Sequence, residues 1–202
     1  EEIVAIDSFS TYYSTELKSL RVANLLTPLG ITVEKCDISD VGLLEKTLAG
    51  KNISSIIHLA AQPGIRLPVE RYGQYVTANI DAFLNIFTWG LKNGIDQITY
   101  ASSSSVYGNY SKAPFSESFT DIKPISFYGA TKLANESMAP AIIRKSNMKA
   151  RGLRFFTVYG PWGRPDMAYF RIAANLISGK PFNLFGDGDA LRDFSYVDDT
   201  VN

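Results

Sequence analysis

Ser55-Ile56-Ile57-His58-Leu59-Ala60, then a helical stretch from Tyr72 to Lys92, then Gln97-Ile98-Thr99-Tyr100-Ala101-Ser102: these residues make one strand–helix–strand unit, and the unit sets the fold class. The two flanking runs are short and rich in β-branched and aromatic side chains, the pattern of strands. Between them Tyr75, Val76, Ile80, Phe83, Leu84, Phe87 and Leu91 recur at helical spacing, and Gly94 supplies a stop. Strands joined through a helix of that length run parallel. The alternation continues on both sides. Ile3 to Ile6, Ile31 to Glu34 and Ala150 to Phe156 read as strands; Thr15 to Leu26, Val41 to Leu48 and Tyr128 to Lys145 read as helices. The expected class is α/β with a doubly wound parallel sheet. Runs that are apolar throughout, rather than alternating, predict cover on both faces of that sheet.

From Thr157 onward the pattern changes. Tyr159-Gly160-Pro161-Trp162-Gly163-Arg164-Pro165 and Phe185-Gly186-Asp187-Gly188 are rich in glycine, proline and aromatics, with one helix expected from Met167 to Ile177. Residues 157–202 therefore read as the start of a smaller lobe that caps the sheet, with residues 1–156 as the main domain.

The 202 residues hold 20 Lys and Arg against 20 Asp and Glu, and one His; 46% are apolar and 20% charged. That composition suits a globular chain of one domain or a domain and a half, not a disordered one. No apolar stretch approaches the roughly 18 residues that span a bilayer. Zero net charge gives no footprint for nucleic acid or an anionic membrane, so neither is expected as a partner. A lone cysteine, Cys36, forms no internal disulfide, which fits a reducing, cytoplasmic setting. One cysteine and one histidine argue against a structural zinc site, and no metal is expected. The acidic opening residues and a four-residue apolar run do not read as a leader peptide.

Nucleotide-binding sheets of this class open with a strand, a glycine-rich turn and a helix. No G-x-G-x-x-G occurs in this sequence. Yet Asp7 ends an apolar strand, where an acid about 20 residues after such glycines would hold a ribose hydroxyl. The simplest reading is that the sequence begins after the first strand–helix unit and stops, at 197–202, as a helix begins. The alternative for Asp7 is a residue that only caps a turn.

Tyr128 and Lys132 lie in Tyr128-Gly129-Ala130-Thr131-Lys132. At i and i+4 on a helix they share a face. A free tyrosine is a poor base at neutral pH, and a cation beside it stabilises the phenolate. The pair then suits deprotonation of an alcohol. Taken alone the spacing is also that of an ordinary exposed helix face. Upstream, Ala101-Ser102-Ser103-Ser104-Ser105-Val106-Tyr107-Gly108 follows a strand directly, and hydroxyls at that strand end face the ligand crevice. A serine there is able to bond the same substrate hydroxyl; a plain helix cap is the other reading. Leu59-Ala60-Ala61-Gln62-Pro63-Gly64 ends another strand with small residues that let a cofactor approach the backbone, or merely punctuates a loop.

Together these motifs resemble the extended short-chain dehydrogenase/reductases, the NAD-dependent nucleotide-sugar epimerases and dehydratases. Within that family they are most similar to the UDP-glucuronate 4-epimerases. The resemblance rests on Ala60 to Arg66, Tyr100 to Gly108, Leu153 to Met167 and Arg192 to Asp199. It implies a Rossmann-like NAD-binding domain over 1–156, a nucleotide-sugar lobe from 157, and a homodimer. It implies Ser103, Tyr128 and Lys132 as catalytic residues. For NAD it implies Asp7 at the adenosine ribose, Asp37 and Ile38 beside the adenine, and Ala60, Ala61 and Gln62 along the phosphates and ribose. Asn79 would support the cofactor and Ser102 would lie against its nicotinamide half, where Tyr128 and Lys132 also bind. For the UDP-sugar it implies Arg66, Ser103, Ser104, Thr157, Arg164, Phe185 and Arg192, with Arg164 toward a carboxylate and Arg192 toward the diphosphate. The bland reading of each arginine is a surface charge; for Arg192 it is also an ion pair with Asp193.

The resemblance also separates sister reactions. Relatives that dehydrate the sugar carry an Asp-Glu pair after the hydroxyl residue, and decarboxylases usually carry a Glu. Here those positions are Ser104 and Ser105, which offer no acid. That favours 4-epimerisation of a UDP-sugar, UDP-glucuronate to UDP-galacturonate, over decarboxylation or 4,6-dehydration; a non-catalytic nucleotide-binding protein is the further alternative. His58 reads as a packed strand residue, Phe185 as either a uracil neighbour or a core aromatic, and Pro140 as a kink or break in its helix.

Overall fold

The computed structural model describes residues 2–109, 113–183, 187 and 191–202. The elements run β1 (Ala5–Asp7), α1 (Thr15–Arg21), β2 (Val33–Lys35), α2 (Val41–Leu48), β3 (Ser55–His58), α3 (Tyr72–Tyr75), α4 (Ala82–Lys92), β4 (Gln97–Ala101), α5 (Phe127–Ile143), β5 (Lys149–Leu153), β6 (Thr157–Tyr159), α6 (Ala168–Ile177), β7 (Phe194–Tyr196) and α7 (Val197–Val201). Two compact units result. One comprises Ile6–Ser8 and Glu34–Phe155; the other comprises Glu1–Ala5, Phe9–Val33 and Phe156–Asn202. The later change of unit falls beside the compositional change at Thr157. Phe9–Val33 groups with the later segment rather than with the strands over 34–155.

In the first unit β3, β4 and β5 form a parallel sheet in sequence order, with Ile56 opposite Ile98 and His58 opposite Tyr100. The alternation of side chains along a strand puts Ile98 and Tyr100 on one face. There α4 covers them through Phe83 and Phe87, stacked at 4.3 Å, with Tyr100 edge-on to Phe83 at 5.1 Å. Each such buried side chain contributes about 1.5–3 kcal/mol. Gly152 on β5 makes room for this packing: a Cβ there would lie 2.7 Å from the Tyr100 ring. The opposite face departs from the expectation of cover on both sides, because Ile57 is 75% exposed. β1 and β2 pair in a sheet of their own, Cys36 N donating to Asp7 O at 3.0 Å. Asn85 on α4 donates to the Ile38 and Ser39 carbonyls at 3.1 and 3.0 Å and so ties the end of β2 to that helix.

The helical stretches expected over 15–26 and 72–92 form, but each contains a wider π segment, at Val22–Leu26 and Val76–Asp81. The second carries Asn79. Pro140 does not end its helix, which continues to Ile143. Its ring has no N–H, so the bond that residue 140 would donate to the Glu136 carbonyl is absent while the helix continues past it.

In the second unit β6 and β7 pair in parallel, Val158 opposite Ser195. Tyr159, Tyr169, Phe194 and Tyr196 cluster around them, with Tyr159 and Tyr196 centroids 5.4 Å apart. Ser14 caps α1 by accepting from Leu17 N at 3.2 Å, and Arg21 donates to Gly163 O at 2.9 Å. No helix among the described residues is long and apolar enough to cross a membrane.

Candidate active site

The site is assembled at the carboxyl ends of β3 and β4. Ser126 opens α5 by accepting from Gly129 N at 3.0 Å. The first turn of α5 then packs on the short helical turn Ser104–Tyr107, which Ser103 caps by accepting from Ser105 N at 3.1 Å. The approach is close enough that a Cβ on Gly129 would lie 2.7 Å from Ser105 O. Glycine at that position is what brings the Tyr128 turn and the serine turn together.

Tyr128 is half-buried, with its ring 6.2 Å from that of Tyr75. The Lys132 Nζ lies 6.0 Å from the Tyr128 ring centroid and donates to Ala101 O at 2.9 Å. Lys132 is only 3% exposed, and burial lowers its pKa to about 8. A buried ammonium held by one backbone carbonyl keeps much of its field for the adjacent phenol. His58, at the end of β3, packs on Phe83 at 5.8 Å. Burial, with the Lys132 charge second, lowers its pKa to about 4, so it is neutral at neutral pH. The packed reading of His58 from sequence agrees with this place.

A buried polar web joins the loop after β3 to both helices. Gln62 N donates to Asn79 Oδ1 at 2.8 Å, Asn79 Nδ2 donates to Thr131 Oγ1 at 3.0 Å, and Asn135 Nδ2 donates to Asn79 O at 2.7 Å. Tyr75 donates to Gly64 O at 2.6 Å. Ala60 is exposed, Ala61 half-buried and Gln62 buried. Asp7 and Asp37 are exposed at the ends of β1 and β2; Asp37 accepts from Ser39 N at 3.0 Å, and Ile38 is buried. Ser104 is half-buried and Arg66 exposed. The Ser102 hydroxyl donates to Glu136, which also receives Arg154 in two bonds of 3.0 and 2.8 Å.

The remaining expected residues lie in the second unit. Thr157 is half-buried on β6. Arg164 is clamped by Asp166 in bonds of 3.0 and 2.9 Å, and Tyr12 donates to the same carboxylate at 3.2 Å. Arg192 is exposed and donates to Leu191 O at 2.7 Å. Phe185 lies outside the described residues. Among the described residues there is no cluster of metal-ligating side chains. Sequence reasoning did not single out Thr131, Asn135, Glu136 or Arg154. Glu136 was within reach of it, one turn beyond Lys132 on the same helix face.

The whole chain, residues 1–202, matches the model of the NAD dependent epimerase/dehydratase family. UDP-glucuronate 4-epimerase 2 of Arabidopsis thaliana is 43% identical over 203 residues, covering 98% of this chain and 46% of that protein. An uncharacterized protein of Methanocaldococcus jannaschii is 42% identical over 201 residues, covering 100% of this chain and 62% of that one. The crystal structure of UDP-glucuronic acid 4-epimerase from Bacillus cereus, in complex with UDP-glucuronic acid and NAD, superposes with a TM-score of 0.86 at 34% identity, covering 98% of this chain and 62% of that one. The chain thus spans about half to three-fifths of the length of these relatives. It belongs to the NAD dependent epimerase/dehydratase family.

Proposed function

We propose that this chain forms part of an NAD-dependent UDP-sugar 4-epimerase, with UDP-glucuronate and UDP-galacturonate as the pair interconverted. The observation that carries this reading is the buried Lys132 ammonium 6.0 Å from the Tyr128 ring, beside the turn that Ser103 caps. The names of the similar proteins supply the sugar.

The residues present fit the riboside ends of the cofactor. Asp7 is an exposed carboxylate at a strand end, Ala60 and Ala61 leave the backbone open, and Lys132 is a buried cation. Asp37, Ile38, Gln62, Asn79 and Ser102 complete the expected set, Asn79 by fixing the Gln62 backbone. The sequence contains no glycine-rich phosphate turn. When bound, NAD supplies a hydride acceptor that becomes the donor on return.

Tyr128, as phenolate, takes the proton of the sugar C4 hydroxyl. Lys132 stabilises that phenolate, and Ser103 bonds the same oxygen. The 4-keto sugar turns over while its nucleotide stays bound, and Tyr128 returns the proton to the C4 oxygen as hydride comes back to the opposite face of C4. Remote nucleotide contacts thus hold the intermediate during the motion. Ser104 and Ser105 provide no acid for elimination of water or for decarboxylation of that intermediate. Thr157, Arg164, Arg66, Phe185 and Arg192 are assigned to the UDP-sugar. The two protomers of a homodimer and a cytoplasmic setting complete the proposal.

Incubation with NAD and, separately, UDP-glucuronate and UDP-glucose tests it. The expected product is UDP-galacturonate from the first. Loss of carbon dioxide or water would assign a sister reaction instead, and no conversion of either sugar would remove the reading.

A further inference from the structure

The carboxylate of Glu136 and the guanidinium of Arg154 form a half-exposed-to-buried pair at the back of the site, each side chain 16% exposed. Arg154 donates to both carboxylate oxygens and also lies over the Tyr107 ring, 4.9 Å from its centroid. Ser102, next to the Ala101 carbonyl that receives Lys132, donates to the same carboxylate. Ser102 N and Ser104 N are in turn held by Leu153 O and Phe155 O at 2.8 and 2.9 Å. The ends of β4 and β5 and the middle of α5 therefore meet at Glu136.

Glu136 is four residues from Lys132 on α5, the spacing at which a carboxylate and an ammonium attract each other along a helix. The Nζ nevertheless bonds the Ala101 carbonyl, and the carboxylate is filled by Arg154 and Ser102. We infer that Glu136 and Arg154 are positioning residues: Arg154 holds the Glu136 carboxylate away from Lys132, so that the lysine charge stays available to Tyr128. The catalytic consequence rests on the functional reading above; the electrostatic relation is measured on Tyr128 itself.

The titratable groups around this pair are known from each packed element. Tyr100 from β4 and Tyr107 from the serine turn face it, while His58 on β3, which is neutral, lies in the field of Lys132 and Tyr75 on α3 packs on Tyr128. Burial, with Glu136 second, pushes the Tyr100 hydroxyl up to about 12, so it stays protonated. Burial alone lowers Lys132. The charge that is free to change sides is then that of Glu136.

The test is a tyrosinate absorbance titration of the NAD-loaded protein, with the Tyr128→Phe variant subtracted so that only residue 128 is read. Arg154→Met releases Glu136 toward Lys132 and raises the Tyr128 pKa by about one unit. Glu136→Gln keeps the arginine charge and lowers it, by about half a unit. The double variant, which removes both charges, returns it close to the starting value. A purely structural role moves the three variants alike or not at all, and either result overturns the inference, as does a fall in Arg154→Met. If Arg154→Met does not fold, the sign of the shift in the isosteric Glu136→Gln decides. Conversion of UDP-glucuronate by the unaltered protein is assayed separately. Its absence counts against the functional reading, while the titration still decides the role of the pair.

Discussion

The Lys132 Nζ lies 6.0 Å from the centroid of the Tyr128 ring and is anchored on the Ala101 carbonyl at 2.9 Å. One helical turn and one strand end thus fix a cation beside a phenol. In the proposed function the phenol oxygen carries the proton, so Tyr128→Phe is expected to lower kcat about 10²–10⁴-fold, the range of a lost general acid–base group. Lys132→Met is expected to lower it as well and to shift the acid limb of the pH profile upward. Steady-state rates with UDP-glucuronate check both; a Tyr128→Phe variant with unaltered kcat would exclude the assignment.

His58 links stability to acid. Its folded-state pKa, about 4, is below the ordinary 6.5, because burial disfavours the charged form. In the unfolded chain it binds a proton below 6.5, while in the fold it does not. Stability is therefore present above that value and is lost as pH falls toward 4, by up to about 3 kcal/mol for this residue. The His58→Leu variant is expected to unfold with a weaker pH dependence across that window. Denaturant midpoints for both proteins at several pH values check this, and parallel curves would contradict it.

Gly129 has no room for a side chain, since a Cβ would meet Ser105 O at 2.7 Å. Gly129→Ala must push the first turn of α5 off the serine turn. The expected cost is about 1–3 kcal/mol, as for other overpacked sites. It is also expected to reduce kcat more than stability at the assay temperature, because Tyr128 moves with its helix. Thermal unfolding and turnover measured together check this; an alanine variant with wild-type turnover would count against the close docking.

Asn79 satisfies the Gln62 amide and bonds Thr131 in a site that is 1% exposed. Asn79→Ala leaves those buried groups unpaired, at a cost of about 1–3 kcal/mol. Because the Gln62 backbone belongs to the loop assigned to NAD, the variant is also expected to retain the cofactor less well. Equilibrium unfolding and the NAD content after gel filtration measure the two effects.

In the proposed function Ser104 stands where an acid would favour loss of the C5 carboxylate. Ser104→Glu is expected to yield more decarboxylated nucleotide sugar than the parent. Product analysis by NMR measures the ratio, and an unchanged ratio would remove Ser104 from the account of specificity.

Much of this arrangement was legible in the residues. Val41 to Leu48 forms the expected helix, and β4 and α5 begin within a residue of their expected starts, because long periodic stretches and their caps are local properties. The Tyr128–Lys132 pairing follows from helix geometry alone. The π segments at Val22–Leu26 and Val76–Asp81 were not legible, since they depend on which neighbours the helix meets. Ile57 on an exposed face was not legible either, because an apolar run does not say whether both faces find partners. Glu136 and Arg154 come from separate elements, and their pairing depends on the order of β4 and β5 beside α5.

The reading of Tyr128 and Lys132 is tested most directly by the fate of hydrogen at C4. UDP-glucuronate carrying deuterium at that carbon is incubated with the NAD-loaded protein, and the product is examined by NMR. The expected product is UDP-galacturonate with the deuterium retained at C4, since in the proposed reaction the proton passes through Tyr128 while the hydride is borrowed and returned. Product that has exchanged the label with solvent, or substrate recovered unchanged, would contradict it.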